Sequence, residues 1–204
     1  MEQEFTITAF SENSVGLLNR ITIIFTRRHI NIDSLTVSES AHKGIFKFTI
    51  VVRTTLQMIQ KVVAQIEKIV DVLKAFYHNS NEIIHQEVAL YKVPTEALFS
   101  SNEIEKIVRT HNARILEVTQ DYTVIEKTAH KKETQELFDI LNKYGVLQFT
   151  RSGRVAITKG KTENLLVKEF FNFVLTEGQK YIHEAGYVTL NEAKLKAETE
   201  KLNK

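Results

Sequence analysis

The chain has 204 residues, 43% of them hydrophobic and 25% charged, with a formal net charge of +2. That is ordinary folded-protein composition, and the near-neutral balance gives no case for nucleic acid or an anionic membrane as partner. Cysteine is absent, which excludes disulfides, thiolate catalysis and Cys-ligated zinc or iron–sulfur sites; no apolar run is long enough to span a bilayer, and the opening "MEQEFTITAF" lacks the basic start and apolar core of a secretory signal, so a cytoplasmic protein is expected.

Residues 4–10 alternate as a strand. Over 15–28, Val15, Leu18, Ile21 and Phe25 recur at spacings of three and four, which predicts a helix facing inward through those four. Residues 31–38 alternate as a second strand, Gly44 marks a turn, and 45–52 ("IFKFTIVV") is a third strand. A helix over 56–70 follows, with Leu56, Ile59, Val63, Ile66 and Val70 on one face, and a strand over 72–77 closes the unit. This β-α-β-β-α-β order is that of a ferredoxin-like fold.

The order then repeats without repeating the residues. Strand 83–93 contains "EVALYKV"; a helix over 102–110 has Ser101 or Asn102 as its cap. Strands 114–118 and 122–128 flank "TQD", a helix over 131–143 turns Thr134, Leu137, Ile140 and Leu141 inward, and strands 145–149 and 155–158 lie around "RSGR". The last stretch, 161–204, reads as helix and charged tail, with an apolar face through Leu166, Phe170, Phe173 and Val174. The expected fold is α+β: two tandem ferredoxin-like domains over 1–80 and 81–160, and a helical extension over 161–204.

Little in this sequence does chemistry. The seven histidines form no H-x-H or H-x-x-x-H pair and read as scattered surface or edge residues. No G-x-G-x-x-G, P-loop or G-x-S-x-G is present. In "FTRRH", Arg27, Arg28 and His29 suit a helix C-terminus, where cations complement the dipole. "RSGR" reads as a charged hairpin turn rather than a phosphate site. The loop "ENSVG" is the better candidate, because free amides at a helix start can receive a carboxylate. Gly16 lets a ligand approach the backbone, and Asn13 can donate and accept, which suits a zwitterion. The alternative is an ordinary cap by Asn13 or Ser14.

The stretch "ENSVGLLNRITIIFTRRHINIDSLTVS" closely resembles the N-terminal ACT domain of acetolactate synthase (acetohydroxyacid synthase) small, or regulatory, subunits. The likeness lies in Asn13, Gly16, Leu17, Leu18 and Arg20, then Phe25, Arg27, Arg28 and the run from Asn31 to Val37. Further on, "QIEKIVDVLKA" is similar to the second ACT helix and strand of that family, with Asp71 at the corner. "EVALYKV" and the segment from "RILEVTQDY" to "RVAITKG" are similar to its C-terminal domain.

The resemblance implies a non-catalytic subunit that activates a large catalytic subunit and confers feedback inhibition by valine or another branched-chain amino acid. Thiamine diphosphate and magnesium would belong to the large subunit and no cofactor to this chain. It further implies a homodimer paired through the ACT domains, with the effector at their interface. One side would be lined by Asn13, Ser14, Val15, Gly16 and Leu17; Asn31 and Ile32, with Ser38 nearby, would come from the partner chain. Val15 departs from the small residue or proline that the family often has there, which implies a tighter pocket. The other reading is a free-standing ACT-type amino-acid sensor with no synthase partner. The tail segment "FFNFVLTEGQKYIHEAGYVTL" instead resembles the closing segment of periplasmic phosphate-binding proteins. The two-lobed fold that would hold phosphate is missing, so no phosphate binding is carried over.

Overall fold

The computed structural model describes residues 2–100 and 103–159. The extension expected over 161–204 and the cap expected at Ser101 or Asn102 lie outside the described residues. Through Ile157 the chain forms one compact unit built on two antiparallel sheets.

The first sheet takes β1 (Gln3–Glu12), β2 (Ile32–Glu39), β3 (Ile45–Thr54) and β4 (Val72–Asn79) in the order β2-β3-β1-β4. Helices α1 (Leu17–Thr26) and α2 (Leu56–Ile66) cover one face. The second sheet takes β5 (Ile83–Pro94), β6 (Arg114–Val118), β7 (Tyr122–Ala129) and β8 (Gln148–Arg151) in the matching order β6-β7-β5-β8, and β9 (Val155–Thr158) also pairs with β5. Its helices are α3 (Thr95–Ser100), α4 (Glu103–Thr110) and α5 (Lys131–Leu141). A single 3-10 turn, Ser80–Glu82, joins the two modules. This is the ferredoxin-like arrangement, used twice. Among the described residues no helix is long and apolar enough to cross a membrane.

Alternation in the strands explains both faces of the first sheet. Phe5, Ile7 and Ala9 of β1 and Phe48, Ile50 and Val52 of β3 meet Leu17, Ile21 and Phe25 of α1 and Ile59, Val62, Val63 and Ile66 of α2. Full burial of such side chains stabilises the fold by roughly 1.5–3 kcal/mol each. Most of the residues between them carry hydroxyls. Ser34, Val51 and Thr6 stand in one row across β2, β3 and β1, and Thr36, Thr49 and Thr8 in the next. The second core gathers Ala89, Tyr91 and Val93 of β5, Ile125 of β7, and Ile104, Val108, Leu137 and Leu141 of its helices. There the Tyr91 hydroxyl donates to the Thr134 carbonyl at 2.6 Å, and burial pushes its pKa up to about 12.

Several expectations need correction. α1 begins at Leu17, two residues later than its spacing implies, and turns Leu17, Ile21 and Phe25 inward. Val15 precedes the helix fully exposed, and Leu18 is 45% exposed. The cause is Gly16, whose φ of 79° breaks the chain before the helix and resets which residues face the sheet. α2 ends at Ile66, leaving Val70 and Leu56 at the surface. β5 stops at Pro94, which has no amide for the ladder, and α3 follows at once where no element was expected. His85 and His130 are not scattered: their rings meet, with His130 Nδ1 3.2 Å from His85 Nε2. Among the described residues no group of three or more His, Asp or Glu is placed to hold a metal ion.

"RSGR" is not a hairpin turn. β8 and β9 both follow the edge of β5, with Ser152 N donating to the Val88 carbonyl at 2.8 Å. Gly153–Ala156 presses onto the hydroxyl-bearing face of the first sheet. A Cβ at Gly153 would overlap Thr36 Oγ1 and lie 3.0 Å from the Leu35 carbonyl. Arg154 N donates to Ser34 Oγ at 2.9 Å. The buried Arg154 guanidinium donates to Thr6 Oγ1 at 2.8 Å and pairs with Glu4 at 2.8 Å. Lys47 Nζ donates to the Ala156 carbonyl at 2.7 Å. Burial alone would raise the Glu4 pKa, but the Arg154 hydrogen bond and the charges of Arg154 and Arg53 hold it below the ordinary carboxylate range.

Candidate functional site

The loop between β1 and α1 is pinned at both ends. Glu12 N donates to the Asp71 carbonyl at 3.0 Å, Ser14 N to the Glu12 carbonyl at 3.0 Å, and Leu17 N to the Ser14 carbonyl at 3.2 Å. Gly16 caps the helix in a left-handed conformation, and no side chain caps the first amides. The ordinary-cap alternative, with Asn13 or Ser14 as cap, therefore does not hold. The first helical N–H groups have no partner within a helix by construction, and they sit at the positive end of its dipole. Arg20, one turn on, bridges the Ser14 hydroxyl at 3.3 Å and the Asp71 carboxylate, so the loop is tied to the start of β4. A Cβ built on Gly16 meets nothing within 4 Å; the space in front of it is open.

That space belongs to an open cavity of about 200 Å³, lined by Glu12, Asn13, Ser14, Gly16, Leu17, Leu18, Val37, Phe46 and Phe48. One wall is the polar loop and helix start. The other is an apolar patch from β2 and β3, where Val37 pairs with Phe48 in register. The volume falls below that of drug-sized pockets and suits a small metabolite with a charged head and an apolar tail. The cavity's polar side chains are Glu12, Asn13 and Ser14, which can bind both the ammonium and the carboxylate of a small zwitterion.

The cavity opens along β2, which pairs only with β3 among the described strands. Val37 is 40% exposed and Leu18, which shares the cavity with it, is 45% exposed. An unpaired strand edge with apolar neighbours is a template for pairing with another chain.

Of the expected site residues, Asn13, Ser14, Gly16 and Leu17 line the cavity. Val15 lies between them but projects into solvent. Ile32 opens β2 five positions before Val37, with Asn31 just ahead of the strand, so both are about 17–20 Å from Val37 along an extended strand. Ser38 is next to Val37 on the opposite face, in register with Lys47. Sequence reasoning missed Glu12, Leu18, Val37, Phe46 and Phe48 as lining residues. Their alternation was visible, but which strand rows meet the loop depends on the pairing of β2 with β3.

Comparison with known proteins agrees across almost all of the described chain. Residues 7–74 match the AHAS small subunit-like ACT domain, and residues 86–160 match the small subunit of acetolactate synthase. The acetolactate synthase small subunit of Bacillus subtilis is 32% identical over 161 residues, covering 78% of this chain and 92% of that one. A probable acetolactate synthase small subunit of Archaeoglobus fulgidus is 30% identical, covering 76% of this chain and 96% of that one. The crystal structure of the acetolactate synthase small subunit from Thermotoga maritima superposes with a TM-score of 0.71 at 25% identity, covering 78% of this chain and 99% of that chain.

Proposed function

This chain belongs to the family of acetolactate synthase small subunits, and from that premise we propose that it is a non-catalytic regulatory subunit governed by valine or another branched-chain amino acid. Its partner is the large catalytic subunit, which would hold thiamine diphosphate and magnesium. The small subunit raises the activity of that partner and lowers it again when the effector binds.

The observation that carries the reading is the uncapped helix start at Gly16 facing an apolar wall at an open strand edge. The Leu17 amide is held by the Ser14 carbonyl, so the amides that follow it in the first helical turn take the effector carboxylate. The Asn13 side chain and the Glu12 carboxylate are available to the ammonium group. Leu18, Val37, Phe46 and Phe48 receive the branched side chain, discriminating by roughly 1–3 kcal/mol per methylene.

The second half of the reading is a homodimer through β2. Antiparallel pairing of two β2 strands about a two-fold axis sets the start of one strand against the end of the other. The partner's Asn31 and the partner's Ile32 then lie beside Val37 and Ser38 at the mouth of the cavity. Residues far apart in one chain become neighbours across two.

Calorimetry of L-valine binding to wild type and Asn13→Ala tests the site. A clear loss of affinity in the variant is expected, and equal affinities would reject the assignment. Reconstitution with the large subunit, assayed with and without valine, leucine and isoleucine, tests the role. Binding of an amino acid without any effect on, or recovery of, a thiamine-dependent partner would favour the free-standing sensor instead.

A further inference from the structure

The candidate cavity and the second module meet the same two strands from opposite sides. Along β2, Val37 lines the cavity, while Thr36 just before it lies against Gly153. Along β3, Phe46 and Phe48 line the cavity, while Lys47 between them donates to the Ala156 carbonyl. Successive residues of a strand point to opposite faces, so only the thickness of one sheet separates the two surfaces. The seat of Gly153–Ala156 is polar and incompletely bonded. Thr36 Oγ1 and Arg154 Nε are buried and have no hydrogen-bond partner among the described residues. An unmade bond in a buried polar contact costs free energy, so a shift in seating that makes the bond recovers that cost. Partial burial also pushes the Lys47 ammonium below its ordinary pKa.

We propose that β2 and β3 act as a two-faced relay: occupancy of the cavity on one face shifts the seating of Gly153–Ala156 on the other, and so carries the effector signal to the second ferredoxin-like module. The relay rests on the effector reading given above. Its coupling is reciprocal, so loosening the seat also changes effector affinity.

Amide hydrogen exchange of the full chain, read by mass spectrometry with and without saturating L-valine, L-leucine or L-isoleucine, tests it. In wild type the effector is expected to slow exchange about fivefold or more both at residues 12–18 and at residues 151–158. In Lys47→Met, which keeps an unbranched apolar stem and removes the bond to Ala156, slowing at 12–18 persists and slowing at 151–158 is lost. Slowing at 12–18 alone in wild type overturns the relay and leaves the effector site standing. No slowing at either segment with any of the three amino acids overturns the effector reading and the relay together. Slowing at both segments that is unchanged in Lys47→Met and in Gly153→Ala also overturns the relay, because the coupling then bypasses these strands.

Discussion

Arg154 offers the sharpest test of how the two modules hold together. Arg154→Met keeps the apolar stem and removes the guanidinium. Two bonds disappear, both at 2.8 Å: one to Thr6 Oγ1 and one to the Glu4 carboxylate. Hydrogen bonds to a charged group contribute about 1.5–3 kcal/mol, and stranding a buried partner raises the loss further. Two features limit it. Glu4 keeps 28% side-chain exposure and a second cation, Arg53, at 3.9 Å, so it is not left as a bare buried charge. The wild-type guanidinium is itself incompletely bonded at Nε. The net loss at neutral pH is therefore expected near 2–3 kcal/mol, read from urea denaturation curves.

The pH dependence separates this pair from generic damage to the interface. The folded-state pKa of Glu4 is depressed. Such a group stabilises the fold fully above its unfolded pKa, whose ordinary value is 4.5, and that stability is lost as pH falls through the folded value. The gap between wild type and Arg154→Met should be constant above about pH 5.5 and narrow below pH 4.5 as Glu4 protonates. Adding Glu4→Gln completes a double-mutant cycle, in which a coupling of about 1–2 kcal/mol is expected. A loss under about 0.5 kcal/mol at neutral pH, or a gap that does not change with acid, would show that the guanidinium does not clamp the modules.

Gly16→Ala should cost about 1–2 kcal/mol in urea denaturation, because an L side chain must then hold a φ of 79°; a cost near zero would mean the turn adopts another conformation. Tyr91→Phe removes the side-chain donor to the Thr134 carbonyl and should cost about 0.5–1.5 kcal/mol, measured the same way. Because the folded pKa of Tyr91 is raised to about 12 from 10.0, wild type should also lose stability as pH climbs through that interval, a phase that Tyr91→Phe lacks. A shared alkaline phase would assign the effect elsewhere.

Much of the fold was legible because local pattern and long-range packing agree. "FTITAF" and "FTIVV" alternate, and the same alternation separates the core face from the hydroxyl face of the first sheet. What failed was read across a glycine or a proline. Val15 fits the helical spacing of Leu18, Ile21 and Phe25, yet the left-handed Gly16 puts it outside the helix. α3 was hidden because Pro94 and the short segment after it carry too few apolar positions to show a period. The Gly16 loop was legible as one wall of the cavity, since Asn13, Ser14, Gly16 and Leu17 all line it. "RSGR" was not. A sequence pattern cannot distinguish an arginine at an exposed turn from Arg154, which is buried against Thr6 and Glu4, residues almost 150 positions away.

Under the proposed regulatory role, this chain alters its partner only through the difference in effector affinity between two states. A coupling of about 1–3 kcal/mol corresponds to roughly 5–150-fold in affinity, which is the size of one or two hydrogen bonds to a charged group. The sheet carrying β2 and β3 already holds contacts of that size on both faces. Its helix side offers the Gly16 amides and an apolar wall, and its hydroxyl side holds Ser34, Thr6 and Lys47 against Gly153–Ala156. Gain or loss of a single such bond on one side, felt through strands shared by the other, is enough to supply the proposed control. No large motion is required, and the tight, glycine-dependent seat at Thr36 leaves little room for one.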